Sequence, residues 1–166
     1  EYTDFEMRQT IDEVVHEQGV KAREKQVTLD LAVDDNVPDA LVGDSLRLRQ
    51  ILLNQIGNAI KFTPAEGKVS TRVRLITTTD GVPRLGFSVT DTGIGIPADK
   101  LSAMFQRYAQ ADASTARKYG GTGLGLSICK SLVELMDGEI GVKSEAGEGS
   151  EFWFELPFKV SAAADM

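Results

Sequence analysis

The chain has 166 residues, 42% of them hydrophobic, enough for one domain with a real core and cramped for two. Its 25 acidic and 18 basic side chains leave a net charge of -7, which argues against a nucleic-acid partner held by phosphate neutralisation. One cysteine excludes an internal disulfide, no apolar run approaches the roughly 20 residues that span a bilayer, and the acidic start Glu1-Tyr2-Thr3-Asp4 lacks the basic lead and apolar centre of a signal peptide.

Residues 6–25 place Met7, Ile11, Val14, Val15 and Ala22 at helical spacing, which predicts an amphipathic helix broken or bent near Gly19. Val27 to Val33 alternates at period two and reads as a half-buried strand. Asp44 is a natural N-cap for a helix from about Ser45 to Phe62, with Leu46, Leu48, Ile51, Leu52, Ile56 and Ile60 as its apolar positions and Pro64 as its stop. Strands at Lys68 to Ile76 and Arg84 to Thr90 follow, joined through the turn chemistry of Asp80-Gly81. From Ala98 to Tyr119 the periodicity fades, as expected of a long functional connection with short helical pieces. Leu124 to Met136 reads as a helix ended by Gly138, with Cys129 as a small buried core residue. A last hairpin pairs Glu139 to Ser144 with Glu151 to Leu156, and Trp153, out of phase with Phe152, Phe154 and Leu156, is expected at a sheet edge or an interface. The whole reads as an α+β two-layer sandwich, a mixed but mostly antiparallel sheet covered by helices on one face, spanning residues 1–160 with a tail at 161–166.

Three stretches carry chemistry. Asn54, Asn58 and Lys61 share one helix face, where neutral amide oxygens suit Mg²⁺ and the lysine supplies a charge for a phosphate oxygen; the alternative is an ordinary solvated face. Asp91 ends a strand before Thr92-Gly93-Ile94-Gly95-Ile96-Pro97, so its carboxylate can accept from the exocyclic amine of adenine, with backbone close to the ring; alone, Asp-x-Gly is a common turn. Gly121, Gly123 and Gly125, around Thr122 and Leu124, precede a helix whose first N–H groups make an anion site. Their spacing is neither a dinucleotide-binding fingerprint nor a P-loop.

These stretches carry a resemblance. LLNQIGNAIKFT (52–63) looks like the asparagine box of sensor histidine kinases, DTGIGIP (91–97) like their first glycine box, and MFQRYAQAD (104–112), with Phe105, like their phenylalanine box. GGTGLGLSI (120–128) resembles the second glycine box and GEGSEFWFELP (147–157) the closing segment, and the wording is most similar to hybrid kinases. The resemblance implies the Bergerat-type ATP-binding fold shared with gyrase, mismatch-repair and heat-shock chaperone ATPases. It implies ATP and Mg²⁺ as cofactors, Asn58 as metal ligand helped by Asn54, Lys61 on phosphate, Phe62 beside the purine and Asp91 on the adenine amine. Gly93, Gly95, Ile96, Tyr108, Gly121, Thr122, Gly123, Leu124 and Gly125 would shape the pocket and the hinges of a lid over residues 98–120.

Where the hydrolases of that superfamily carry a glutamate as general base, this chain has Asn54, which cannot take a proton, so phosphoryl transfer to a protein is expected rather than hydrolysis. The implied acceptor is a histidine on dimerisation helices of the parent chain, which then serves a response regulator receiver domain. The only histidine, His16, lacks the acceptor's following pattern, with Gly19 and Lys21 where a basic residue and a proline are expected. Gln110 stands where many relatives have arginine, with Arg107, Arg117 or Lys118 as substitutes. The resemblance implies a monomeric cytoplasmic domain of a dimeric parent. The competing readings are a signalling adaptor that keeps the pocket but works through protein contacts, and a stand-alone ATPase, which Asn54 disfavours.

Overall fold

A computed structural model describes residues 3–93, 122–145 and 149–161. Among the described residues eight strands and three helices follow one another as β1 (Thr3–Glu6), α1 (Met7–Lys25), β2 (Thr28–Val33), β3 (Ala40–Gly43), α2 (Ser45–Phe62), β4 (Lys68–Thr79), β5 (Val82–Asp91), α3 (Thr122–Leu135), β6 (Glu139–Glu145), β7 (Gly149–Pro157) and β8 (Lys159–Val160). The main sheet has the order β2-β4-β5-β7-β6, in which only the β2–β4 pair is parallel. The expected mixed, mostly antiparallel sheet is therefore present.

Alternation decides its two faces. Val69, Val73, Leu85, Phe87, Val89, Phe152, Phe154 and Leu156 are buried toward the helices, where Phe87 and Phe154 stack with ring centroids 4.6 Å apart. From α1 come Met7, Ile11 and Val14, and from α2 Leu48, Ile51, Leu52, Ile56 and Ala59, all without exposed surface. The opposite face carries the charged and polar residues, among them the ion pair of Arg84 Nε with Glu155 Oε1 at 2.9 Å. Trp153 belongs to this face, packed where a Cβ on Gly141 would stand. Its strand lies between β5 and β6, so it is not at the edge its phase suggested.

Several boundaries differ from the sequence-based expectation for local reasons. Helix α1 runs unbroken through Gly19 and stops only at Gln26, in the left-handed region at φ 66°, whose N–H returns to the last turn. Tertiary packing of Gln18 and Ala22 overrides the modest cost of one glycine. The hairpin of β4 and β5 is longer than expected at both strands, and its bulge lies between Leu75 and Thr77. Leu46 is exposed rather than an inward position of α2.

A second sheet, β1-β3-β8, was not foreseen, because its strands are two to four residues long and carry no readable alternation. Phe5 meets Phe158 edge to face at 5.6 Å beside it. Ser161, expected to open a loose tail, is buried, with its N–H on the Ala40 carbonyl at 2.9 Å and its hydroxyl 2.7 Å from Asp4 Oδ1.

Candidate nucleotide site

Helix α2 forms as the sequence implies. Asp44 Oδ1 accepts from the Arg47 N–H at 3.0 Å, satisfying one of the orphan donors of the first turn, and the cap is buried. At the other end Lys25 of α1 reaches across to the carbonyls of Ile60, at 2.9 Å, and Lys61, placing positive charge at the helix C-terminus. Thr63 closes the turn, its hydroxyl donating to the Ala59 carbonyl at 2.7 Å. The last turns of α2 are thus held from both sides, and they carry the functional face. Asn54 and Asn58 are half-buried on one ridge, Lys61 beyond them is exposed, and Phe62 is half-buried.

Beside that end of the helix stands Asp91, the last residue of β5, buried on the helix-covered side of the sheet. Its Oδ1 accepts two backbone N–H groups, from Gly93 at 2.8 Å and from Ser150 at 3.2 Å. Its Oδ2 is equally buried and has no hydrogen-bond partner among the described residues. Burial pushes the carboxyl above the usual carboxylate range, against the pull of those two N–H groups. A buried acceptor with no donor is costly unless something else supplies one, and an exocyclic amine does so.

Two glycines make this arrangement possible. A Cβ on Gly93 would stand 2.3 Å from the Phe62 carbonyl oxygen, so the bend after β5 lies directly against the end of α2. Gly149 has φ +96°, and a Cβ there would meet the Asp91 carbonyl oxygen at 2.2 Å. Phe62, Asp91 and Gly93 meet at one corner of the sandwich, and Asn58 lies one turn before Phe62 on α2.

Helix α3 packs across α2 through Cys129, which is fully buried. Burial pushes its thiol up to about 11, and a side-chain hydrogen bond from Asn54 pulls the other way. Gly123 and Gly125 lie within the first turn of α3, which starts at Thr122, rather than before the helix as expected. Gly95, Ile96, Tyr108, Gln110 and Gly121 lie outside the described residues, as does the span 98–120. Among the described residues no group of three or more His, Cys, Asp or Glu is placed to hold a metal ion. Sequence reasoning missed Ser150, whose contribution is a backbone N–H and therefore has no residue signature, and Cys129 as a neighbour of Asn54.

The fold is that of an ATPase domain built on an α/β sandwich. The model of the family described as histidine kinase-, DNA gyrase B- and HSP90-like ATPases matches residues 43–160, and the chain belongs to that family. Within it the chain is an ATPase catalytic domain of the sensor histidine kinase kind. It is 44% identical to the sensor histidine kinase AruS of Pseudomonas aeruginosa over 162 residues, 98% of this chain and 16% of that one. With the sensory/regulatory protein RpfC of Xanthomonas campestris the identity is 46% over 158 residues, 95% of this chain and 22% of that one. The chain thus spans about a fifth or less of these relatives. Among solved structures, full-length ShkA in complex with AMPPNP superimposes with a TM-score of 0.79 at 38% identity, covering 97% of this chain and 32% of that one. Histidine kinase ThkA in complex with the response regulator protein TrrA does so with 0.69 at 25% identity, covering 94% and 41%.

Proposed function

We propose that this domain binds Mg²⁺·ATP at the corner between α2 and β5 and presents its γ-phosphoryl to a histidine on dimerisation helices of its parent chain. The observation that carries the reading is Asp91, with Oδ1 fixed by two backbone donors and Oδ2 buried and open for the adenine amine. The AMPPNP bound to ShkA supports it.

The donor set also fits magnesium. Asn54 and Asn58 offer neutral carboxamide oxygens on one ridge, and an ion that keeps several waters and takes phosphate oxygens needs few protein ligands. When bound, it would offset the charge of the phosphates. Lys61 then meets phosphate, while Phe62 covers the purine. Asn54 cannot accept a proton from water, which favours phosphoryl transfer over hydrolysis. His16 is exposed in the middle of α1, and this reading does not use it as the acceptor because the residues that follow it lack the acceptor pattern. A receiver domain as the next partner is supported by the ThkA complex with TrrA. No helix of the described residues is long and apolar enough to cross a membrane.

Titration of a fluorescent ATP analogue with and without Mg²⁺ tests the proposal, read beside Asn58→Ala. Loss of the magnesium-dependent part of the affinity in that variant is the expected result. Unchanged affinity under both conditions would overturn it. Supplying the helical phosphoacceptor domain in trans then separates kinase from adaptor, since bound nucleotide without phosphohistidine would favour the adaptor.

A further inference from the structure

The buried stripe of α2 contains one polar side chain that the site does not use. Gln55 has no exposed surface, and neither its Oε1 nor its Nε2 has a partner among the described residues. Its neighbours in the stripe, Leu48, Ile51, Leu52, Ile56 and Ala59, are all apolar. A wholly buried amide with neither atom bonded is costly in an apolar setting, so a packing role alone is a poor account of it.

Three residues further along the same helix is Asn58, whose Nδ2 is also buried without a partner among the described residues. Residues three apart on a helix have Cβ atoms roughly 5–6 Å apart, and a glutamine can reach such a neighbour. The orphan groups are complementary: Asn58 Nδ2 donates and Gln55 Oε1 accepts. We infer that Gln55 is a positioning residue for Asn58, accepting from its Nδ2 through one bridging water and so holding the Asn58 oxygen toward the nucleotide. Turning that amide over would present N–H groups to a cation and remove a ligand. The Asn58 nitrogen is then engaged from inside the protein and its oxygen directed outward, as buried neighbours of metal ligands arrange it.

This inference rests on the reading of Asn58 as the metal-facing residue, and the experiment separates the two. AMPPNP binding is titrated with and without Mg²⁺ for the parent chain, Asn58→Ala, Gln55→Met and Gln55→Glu, together with thermal unfolding of each. Gln55→Met keeps the length and removes both polar atoms, so it is expected to leave the melting temperature equal or higher and the magnesium-free affinity unchanged. It should weaken the magnesium-dependent gain by about tenfold, the lower end for loss of an orienting partner. Gln55→Glu keeps an acceptor oxygen and should retain the gain. The side-chain amide signals of Asn58, read by NMR without nucleotide, should be protected from exchange in the parent and lose that protection in Gln55→Met. If Asn58→Ala abolishes the magnesium gain while Gln55→Met keeps it, the inference fails and the metal reading stands. If Asn58→Ala keeps the gain, the metal reading itself fails. Should Gln55→Glu lose the gain along with Gln55→Met, Gln55 is a packing residue and the assignment is wrong.

Discussion

Replacing Asp91 by Asn is the sharpest test of the base-reading corner, because the outcome depends on which atom faces the purine. The N–H groups of Gly93 and Ser150 both point at the Oδ1 position, so the amide of the variant must put its carbonyl oxygen there. The NH₂ group is then forced into the Oδ2 position, facing the exocyclic amine of adenine, donor against donor. Losing a hydrogen bond to a charged acceptor costs about 1.5–3 kcal/mol, and leaving the buried amine unpaired adds about 1–3. Taking about 3 kcal/mol together, the ATP dissociation constant should rise by roughly two decades, since 1.4 kcal/mol is tenfold. Inosine triphosphate, which carries a carbonyl acceptor where adenine carries the amine, should gain affinity in the same variant, so that the preference between the two nucleotides inverts. Calorimetric titration of both nucleotides against both proteins reads this directly. A variant that binds ATP within about threefold of the parent, under 0.7 kcal/mol, or that does not move toward inosine, refutes the reasoning.

The same carboxylate sets a pH dependence. Its folded pKa is raised, so the folded state takes up the proton first and gains stability as pH falls from neutral through that value toward the ordinary carboxylate pKa. The stability advantage of Asp91→Asn over the parent should therefore shrink on acidification, as followed by denaturant titration, while parent ATP affinity falls in the same window because Oδ2 becomes a donor. Gly149→Ala forces a Cβ within 2.2 Å of the Asp91 carbonyl at a positive φ, and should cost about 2 kcal/mol, lowering the melting temperature by roughly 4–8 °C and weakening ATP binding. Cys129, with its thiol pushed up to about 11, should resist a thiol reagent at pH 8 in the folded protein and react fully in guanidinium. Rapid stoichiometric labelling of the native chain would contradict its burial.

Most of the architecture was legible because the long elements carry strong periodicity. Asp44 and the apolar spacing mark the bounds of α2 at Ser45 and Phe62, Leu46 alone facing outward against expectation, and the alternation of Phe152, Phe154 and Leu156 assigns their face correctly. What could not be read rests on pairing rather than pattern. The strands β1, β3 and β8 are defined by partners distant in the chain, such as Phe5 opposite Leu41 and Leu41 opposite Val160. At the site, the roles proposed for Asn58 and Asp91 follow from residue type and place, whereas Ser150 holds Asp91 through its backbone and Gln55 is marked only by its burial, neither of which a side-chain spelling announces.

The ladder between β5 and β7 runs from Arg84 opposite Pro157 to Asp91 opposite Ser150, joining segments about sixty residues apart. The described frame on either side of residues 94–121 is closed by contacts of its own, Gly93 against α2 and the third helix against α2 through Cys129. Lengthening the chain between two fixed ends costs only logarithmically, about 0.6 kcal/mol per doubling, so residues inserted between them should leave Asp91 opposite Ser150.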